Sequence, residues 1–223
     1  MNGFDISTAT GIYLGNTLVD SLYIGSTKVW PLYDSEYLTF EVVEAGTVTV
    51  TALGGPLPTM FEPKRTIQYS TDDGQNWSSL TTSTTEQTLG TLAVGDKILL
   101  KGTNTNYATS ITQYNVFGGT AKVNVYGNIM SLLYGDNFVG QTSLTDSYTF
   151  FKLFAGLNVV SAKNLVLPAT TLTTNCYGQM FNGCTLLTDT PRLPATTLAA
   201  NCYQYMFGGC SSLTKDLNFQ LLR

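Results

Sequence analysis

Four cysteines are the residues of this chain whose types and spacing most clearly permit chemistry. They form two pairs with an internal spacing of eight (184 − 176 and 210 − 202), and the pairs repeat 26 residues apart: Cys176, Cys184, Cys202 and Cys210. Thiolates at such positions could bind zinc or form disulfides. A four-thiolate zinc site normally uses two short Cys-x(2–4)-Cys pairs, so this spacing disfavours zinc. Free cysteine is among the most buried residue types, so we interpret the set as a ladder in a protein core, with disulfides between neighbours left open.

A second pattern with chemical potential surrounds Asp72. Ser70, Asp72, Gly74 and Trp77 fit the Ser-x-Asp-x-Gly-x-x-Trp pattern called the Asp-box, which is familiar from sialidase propellers. Its logic is structural: the aspartate caps turn amides, the glycine takes a positive φ, and the tryptophan packs under the hairpin. We therefore predict a structural turn. A calcium loop is the alternative, although the segment lacks the later ligands of an EF-hand.

Composition removes several classes of function. The chain has 223 residues, no histidine, 12% charged residues and a net charge of −4. Without histidine there is no Ser-His-Asp or Cys-His catalysis and no histidine-containing metal site. The negative charge disfavours nucleic-acid binding, and no run of 18 apolar residues predicts a membrane span. A sialidase would need several Asp-boxes and an arginine cluster, whereas the three arginines are scattered at Arg65, Arg192 and Arg223. We expect no enzyme, no cofactor and no metal.

The elements that hold the cysteines are repeats. Residues 167–189 return as residues 193–215, with 15 of 23 aligned positions identical at an offset of 26. A fixed period in the twenties indicates stacked units, each of which buries its apolar side on a neighbour. Residues 148–163 resemble a degenerate preceding half-unit, one residue out of period.

Each unit is predicted to contain a short helix. Asn175 suits a helix N-cap, the apolar residues after it recur at helical spacing, and Gly183 suits a left-handed stop. Residues 186–188 then indicate the start of a short strand. The predicted repeat core consists of Cys176, Met180, Phe181, Cys184, Cys202, Met206, Phe207 and Cys210.

These residues carry a family resemblance. Leu-Pro-Ala-Thr-Thr-Leu followed by Asn-Cys-Tyr-x-x-Met-Phe-x-Gly-Cys, present twice in phase, resembles the BspA-like leucine-rich repeat. Such repeats occur in surface proteins of gut anaerobes. They also occur in fibre-type virion structural proteins of the crAss-like bacteriophages that infect these bacteria. The resemblance implies a short α/β solenoid and a role in adhesion or partner binding rather than catalysis.

The middle of the chain is predicted to be mainly β. Alternating or β-rich segments at short intervals favour a β-sandwich with immunoglobulin-like architecture. We expect a turn at residues 44–46 and a long polar-aromatic loop at residues 107–119 that could serve as a contact surface. The predicted strands lie at residues 37–43, 47–53, 66–69, 77–80, 97–101 and 121–126.

The N-terminal residues contain a smaller echo. Residues 12–19 return ten positions later as residues 22–29, with Gly-Asn and Gly-Ser pairs suited to hairpin turns. Two hairpins are too small to be stable alone, and this stretch resembles N-terminal pieces of phage fibre proteins that dock on the particle. An edge hairpin of the next domain is the alternative. The predicted docking residues are Tyr13, Leu14, Tyr23, Ile24, Val29 and Trp30.

These predictions combine into four regions and one function. The regions are a docking segment (1–35), a β-sandwich (36–127), a connector (128–147), and repeats with a C-terminal cap (148–223). We expect a phage virion fibre or decoration protein on head or tail that binds other virion proteins and a host glycan or protein. Two repeats are too few for an independent solenoid, so the repeats must lean on the β domain or on another copy of the chain. We expect a homo-oligomer, by analogy a homotrimer. The absence of a signal peptide favours assembly in the host cytoplasm into an extracellular particle; a bacterial cell-surface adhesin is the alternative.

Overall fold

The computed structural model of the chain describes residues 33–54 and 64–213, together with the backbone of four short strands between positions 13 and 30. The described part is mainly β, as predicted, and its one α-helix is α1 (Ser131–Tyr134). The strands are β1 (Tyr13–Leu14), β2 (Thr17–Leu18), β3 (Leu22–Ile24), β4 (Thr27–Trp30), β5 (Leu38–Glu44), β6 (Gly46–Leu53), β7 (Thr66–Ser70), β8 (Ser78–Thr81), β9 (Gln87–Leu92), β10 (Lys97–Gly102), β11 (Tyr114–Gly119), β12 (Lys122–Asn128), β13 (Asn158–Ser161) and β14 (Leu165–Val166).

The first four strands form two antiparallel pairs. β1 pairs with β2 so that Leu14 faces Thr17, and β3 pairs with β4 so that Ile24 faces Thr27. Each pair thus encloses two residues between its strands, Gly-Asn in one and Gly-Ser in the other, the number that a tight hairpin requires.

Two further sheets enclose one hydrophobic core. The larger sheet has the order β13-β12-β5-β10-β7-β8, with β14 also beside β12, and the smaller has the order β11-β6-β9. Alternating residues of β5 and β6 point into the core, as period-2 patterns require. The rings of Phe40 on the larger sheet and Phe117 on the smaller one meet edge to face at 5.1 Å, and both are fully buried.

Residues 44–46 do not close a hairpin, because β5 and β6 belong to different sheets and the chain crosses from one sheet to the other at this point. Gly46 permits the crossing, since a Cβ here would collide with the backbone of Ala121. The predicted contact loop at 107–119 is also wrong. Tyr107 is fully buried and residues 114–119 form β11, which leaves only residues 109–113 as an exposed loop. The polar β9 strand was not predicted at all.

The predicted connector packs closely on the sandwich. The buried Ser131 hydroxyl accepts a hydrogen bond from the Leu38 N–H at 3.0 Å and donates one to the Leu100 carbonyl at 2.7 Å. It therefore ties α1 to both β5 and β10. The Tyr107 hydroxyl donates to the Leu132 carbonyl at 3.2 Å, which adds a second anchor.

The repeats contain stacked turns where helices were predicted. We call three segments, residues 148–156, 174–183 and 200–209, the turn ladder; its members are the first, second and third turn segments. Within each segment every second N–H bonds the carbonyl three residues earlier, as Gly178 does to Asn175 at 3.1 Å. The helix prediction fails because Asn175 (φ 55°) and Gln179 (φ 54°) are left-handed, and an α-helix tolerates no such residue inside it. Asn175 is accordingly not an N-cap.

The remaining parts of each repeat unit join by parallel bridges. Ser143, Thr171 and Thr197 form one row, and Ser161 pairs with Asp189 in another. Residues 186–188 form no strand, so the predicted strand shrinks to the Asp189 bridge.

The sandwich and the repeats share one core without a break. β12 of the larger sheet pairs in parallel with β13 and β14, and the Phe117 N–H of β11 bonds the Leu153 carbonyl of the first turn segment at 2.9 Å. A single cluster of buried residues runs from Leu38 to Cys210. The expected borders at residues 127 and 147 therefore do not coincide with a gap in packing. The repeats lean on the β-sandwich, which was one of the two supports that their small number required.

Candidate adhesion surface

The inward side of the turn ladder is built from aligned aromatic rings. Phe150, Tyr177 and Tyr203 stack with centroid distances of 5.8 Å between successive rings. A second row of phenylalanines at positions 154, 181 and 207 has successive distances of 5.2 and 5.7 Å. The steps are 27 and then 26 residues, which matches the one-residue offset of the degenerate first unit. These stacks fix the distance between units and hold their outer sides in register.

The four cysteines belong to this inward side. All are free and buried; the Cys184 thiol donates to the Phe154 carbonyl at 3.2 Å, and the Cys210 thiol to the Phe181 carbonyl at 3.1 Å. Burial raises the pKa of Cys176 to about 11 and that of Cys184 to about 12. These two thiols therefore stay protonated near neutral pH, and a protonated thiol is a poor nucleophile and metal ligand. The other predicted core residues Met180, Phe181 and Met206 are buried, and Phe207 is half-buried.

The outward side of the ladder carries straight rows of side chains. Lys152, Gln179 and Tyr205 occupy equivalent positions, all with positive φ (55°, 54° and 50°). Tyr148, Asn175 and Asn201 form a second row with positive φ, in which Asn175 is buried. Positive φ is unfavourable for residues other than glycine, so the turn hydrogen bonds must hold each of these positions. We call the row of Lys152, Gln179 and Tyr205 the adhesion face, after the role that we propose for it.

The adhesion face combines one cation, one amide and one exposed ring. Tyr205 is 69% exposed, whereas Gln179 and Lys152 are half-buried. The Lys152 ammonium lies 4.8 Å from the centre of the Tyr114 ring, which brings a side chain of β11 to the edge of this surface. A ring flanked by amide and ammonium donors suits a polar ligand with apolar patches, such as a sugar, or a protein surface.

The Asp-box turn is a tightly bonded structural unit. The Asp72 carboxylate accepts from the Ser70 hydroxyl at 2.7 Å, from the Asn76 N–H at 2.9 Å and from the Asn76 side-chain amide at 2.6 Å. The Gly74 φ is 84°, and the Trp77 indole donates to the Gly74 carbonyl at 3.1 Å. Bonds from Asn76 and then from Ser70 lower the pKa of Asp72 to about 2. Both carboxylate oxygens accept hydrogen bonds within the turn, as expected of an aspartate that caps a structural turn.

Trp77 links this turn to the connector region through a buried cation. The Lys101 ammonium lies 4.0 Å from the centre of the Trp77 ring and bonds Asp136 at 2.8 Å, while Lys101 is only 8% exposed. The Tyr37 hydroxyl donates to the same carboxylate at 2.9 Å. Bonds from Lys101 and then from Tyr37 lower the pKa of Asp136. The two charged groups of this cluster, the Lys101 ammonium and the Asp136 carboxylate, are therefore paired with each other.

The other predicted site residues are placed differently. Tyr13 and Leu14 lie in β1, Tyr23 and Ile24 in β3, and Val29 and Trp30 in β4; their side chains lie outside the described part of the chain. Sequence reasoning did not foresee the adhesion face. The one indication in the sequence was that Gln179 and Tyr205 are aligned at the 26-residue period. The prediction of a helix in each unit gave no reason to expect these two side chains to form a row.

Comparison with known proteins gives no assignment. No family model, no curated protein and no solved structure matches the chain. Within residues 33–54 and 64–213, no three histidine, cysteine, aspartate or glutamate side chains are grouped so that they could hold a metal ion. None of the helices in the described part has the length and apolar character needed to cross a bilayer.

Proposed function

We propose that the chain is a non-enzymatic structural and binding protein of a bacteriophage particle, a head or tail fibre or decoration protein. The N-terminal hairpins would dock on other virion proteins, the sandwich would form the stem, and the turn ladder would present the adhesion face to a host-surface glycan or protein. In its finer detail, the proposal treats the sandwich as immunoglobulin-like and the repeats as BspA-like.

The observation that carries the proposal is the adhesion face itself. Each unit places one outward side chain at an equivalent left-handed position, and the aromatic stacks beneath hold these positions in register. A rigid, pre-organised surface loses little entropy on binding, which favours recognition of a repetitive ligand such as a surface glycan. The sandwich supports the ladder through shared core and backbone hydrogen bonds, so the surface is held on a firm base.

The polar groups are consistent with a role without catalysis. The most chemically capable side chains, Cys176 and Cys184, are buried and protonated, and Asp72 is engaged within its own turn. A general acid or base works best with a pKa near the operating pH, and these three groups lie far from it. Glycan turnover that depended on Asp72 would contradict this reading.

The proposed oligomer is a homotrimer, by analogy with viral fibres. Its interface would involve the N-terminal segment or the sandwich, where Val94 (67% exposed) and Ile111 (60% exposed) are uncovered apolar side chains. Light scattering that shows a stable, folded monomer at micromolar concentration would contradict the trimer.

Peptide mass spectrometry on density-purified phage particles tests the assignment. We expect peptides from the whole chain at a fixed copy number relative to the major capsid protein, and that number would distinguish a vertex from a tail position. Peptides confined to the bacterial envelope fraction would overturn the virion assignment and favour the cell-surface adhesin.

Binding of the purified chain to host cells and to a glycan array tests the adhesion face. We expect the pair Lys152→Ala and Tyr205→Ala together to lower binding at least tenfold, since aromatic and charged anchors dominate interface energies. Val139→Ala is the matched control, because it also removes an exposed side chain but lies outside both the turn ladder and the proposed trimer interface. Equal binding by both variants would show that the ligand is held elsewhere.

A further inference from the structure

The open end of the turn ladder has an unusual backbone. N–H groups of the first turn segment donate to carbonyls of the second, and those of the second donate to carbonyls of the third, as Tyr177 does to Cys202 at 2.9 Å and Phe181 to Met206 at 2.9 Å. The other peptide groups of each segment bond within it. All inter-segment N–H groups therefore point the same way, away from the sandwich.

The third turn segment consequently ends in a row of donors. Its equivalent N–H groups have no acceptor among the described residues; they belong to Asn201, Tyr203, Tyr205, Phe207 and Gly209. The matching carbonyls are occupied, either by the second segment or within the third. Aligned peptide dipoles place partial positive charge along this edge, so it selects hydrogen-bond acceptors.

A second copy of the chain does not fit this edge. Two donor edges placed face to face would leave every N–H between them without an acceptor, which is unfavourable for each group that becomes buried. The acceptor edge of the ladder is not free in a second copy either. The Tyr107 and Phe117 N–H groups already bond the Thr149 and Leu153 carbonyls, at 2.7 and 2.9 Å.

The side chains at this end also lack a cover. Tyr177 and Phe181 are fully buried in the second segment, whereas their counterparts Tyr203 and Phe207 are half-buried. One further layer with carbonyls and apolar side chains would complete the burial of this row.

We propose that residues 214–223 of the same chain supply that layer. This segment follows Leu213 directly, and its Leu217, Phe219 and Leu221 alternate with polar residues in the pattern of a half-buried strand. Its carbonyls would accept from the donor row while Leu217 and Phe219 cover Tyr203 and Phe207. Tethering gives the segment an effective concentration of about millimolar, which favours it over a free partner.

The segment has the required reach. Ten residues in extended form span about 33 Å, and the eight steps from Gly209 back to Asn201 span at most about 29 Å. The residues near Leu213 already turn, since the Leu213 N–H bonds the Cys210 carbonyl at 3.2 Å. A return of the chain across the third turn segment therefore needs no additional residues. The result would be a cap that blocks further stacking at this end.

Amide hydrogen exchange on the full chain, measured by NMR at two protein concentrations, tests the cap. We expect the five donor amides to exchange at least about a hundredfold more slowly than free amides, equally at both concentrations. Free exchange of these amides, or protection that rises with concentration as a second copy would produce, would overturn the proposal.

A matched pair of variants tests whether Leu217 and Phe219 are the side chains that bind residues 214–223 to the third turn segment. Leu217→Ser with Phe219→Ser should return the donor amides to near-free exchange, whereas Leu222→Ser, which lies outside the alternation, should leave them protected. The Tyr177 and Phe181 amides should stay protected in both variants and report that the ladder is folded. Donor amides that stay protected in the double variant would contradict the cap. These outcomes do not depend on whether the chain is a virion protein.

Discussion

The sandwich and the turn ladder satisfy their backbones in opposite ways. In the sandwich, β5 and β12 pair antiparallel, so each strand both donates and accepts along the same edge. In the turn ladder every inter-segment N–H points away from the sandwich. An edge of the sandwich thus carries both donors and acceptors, whereas the ladder has an acceptor edge beside the sandwich and a donor edge at its third segment. β11 begins the ladder by donating to its first segment, and the outward N–H groups of the third segment have no acceptor among the described residues.

The two regions also differ in how they place their outward side chains. A sandwich strand sends alternate residues outward, as the burial of β12 shows. The ladder instead bends its backbone through left-handed residues such as Gln179 and Tyr205, which aligns outward side chains from unit to unit.

The largest expected effect comes from the aromatic contact that joins the two regions. Phe154 is fully buried against Phe40, Phe117 and Phe181. Phe154→Ala should lower the free energy of unfolding by about 3–5 kcal/mol, since it leaves a cavity between sandwich and ladder. Urea denaturation measures the change. Phe207→Ala is the control at the half-buried end of the same row. An equal loss of unfolding free energy in that variant would show that the contact between sandwich and ladder is no more stabilising than the end of the row.

Ser131 tests whether the connector region is part of the sandwich. Ser131→Ala removes one acceptor and one donor from a buried site between β5 and β10. We expect a loss of about 1–3 kcal/mol in the free energy of unfolding, because the Leu38 N–H is left buried without a partner. Ser78→Ala, on the exposed edge strand β8, provides the comparison. If both substitutions were neutral, residues 128–147 would be only a tether.

The left-handed positions of the ladder predict a smaller gain in stability. Gln179→Gly should stabilise the fold by about 0.5–1 kcal/mol, because glycine adopts φ of 54° without strain. Gln204→Gly should destabilise it by a similar amount, since this neighbouring row is not left-handed. The thermal unfolding temperatures of the two variants should therefore shift in opposite directions from that of the unsubstituted chain. Shifts in the same direction would contradict the turn geometry.

The Asp-box turn should make the stability of the fold depend on pH over a narrow acidic range. The pKa of Asp72 is lowered to about 2 in the folded chain, against about 3.9 in an unfolded one. Its contribution to stability is therefore complete above about pH 4 and is lost as the pH falls toward 2. NMR titration should show the low pKa, and Asn76→Ala should raise it because the largest hydrogen-bonding contribution disappears. An unchanged pKa in that variant would contradict the assigned bonds.

Much of this architecture follows from the sequence, and the exceptions have physical causes. The 26-residue period, the apolar inward positions and the one-residue offset of the first unit are visible because stacked cores demand like residues at like positions. The helix was wrong because nothing in Gln179 or Tyr205 signals a left-handed residue, although Gly183 and Gly209 do. The β9 strand is Thr- and Gly-rich and lacks the usual apolar alternation. The continuity of the core could not be predicted, since a repeat pattern does not say what covers its first unit.

The central claim is that the sandwich and the turn ladder unfold as one body. Urea denaturation of the Trp30→Phe variant tests it with two probes, Trp77 fluorescence for the sandwich and pulsed thiol labelling of the four buried cysteines for the ladder. Because one core joins the regions, we predict the same urea midpoint for both probes. Cysteines that become reactive at a clearly lower urea concentration than the tryptophan transition would contradict the account and restore two separate domains.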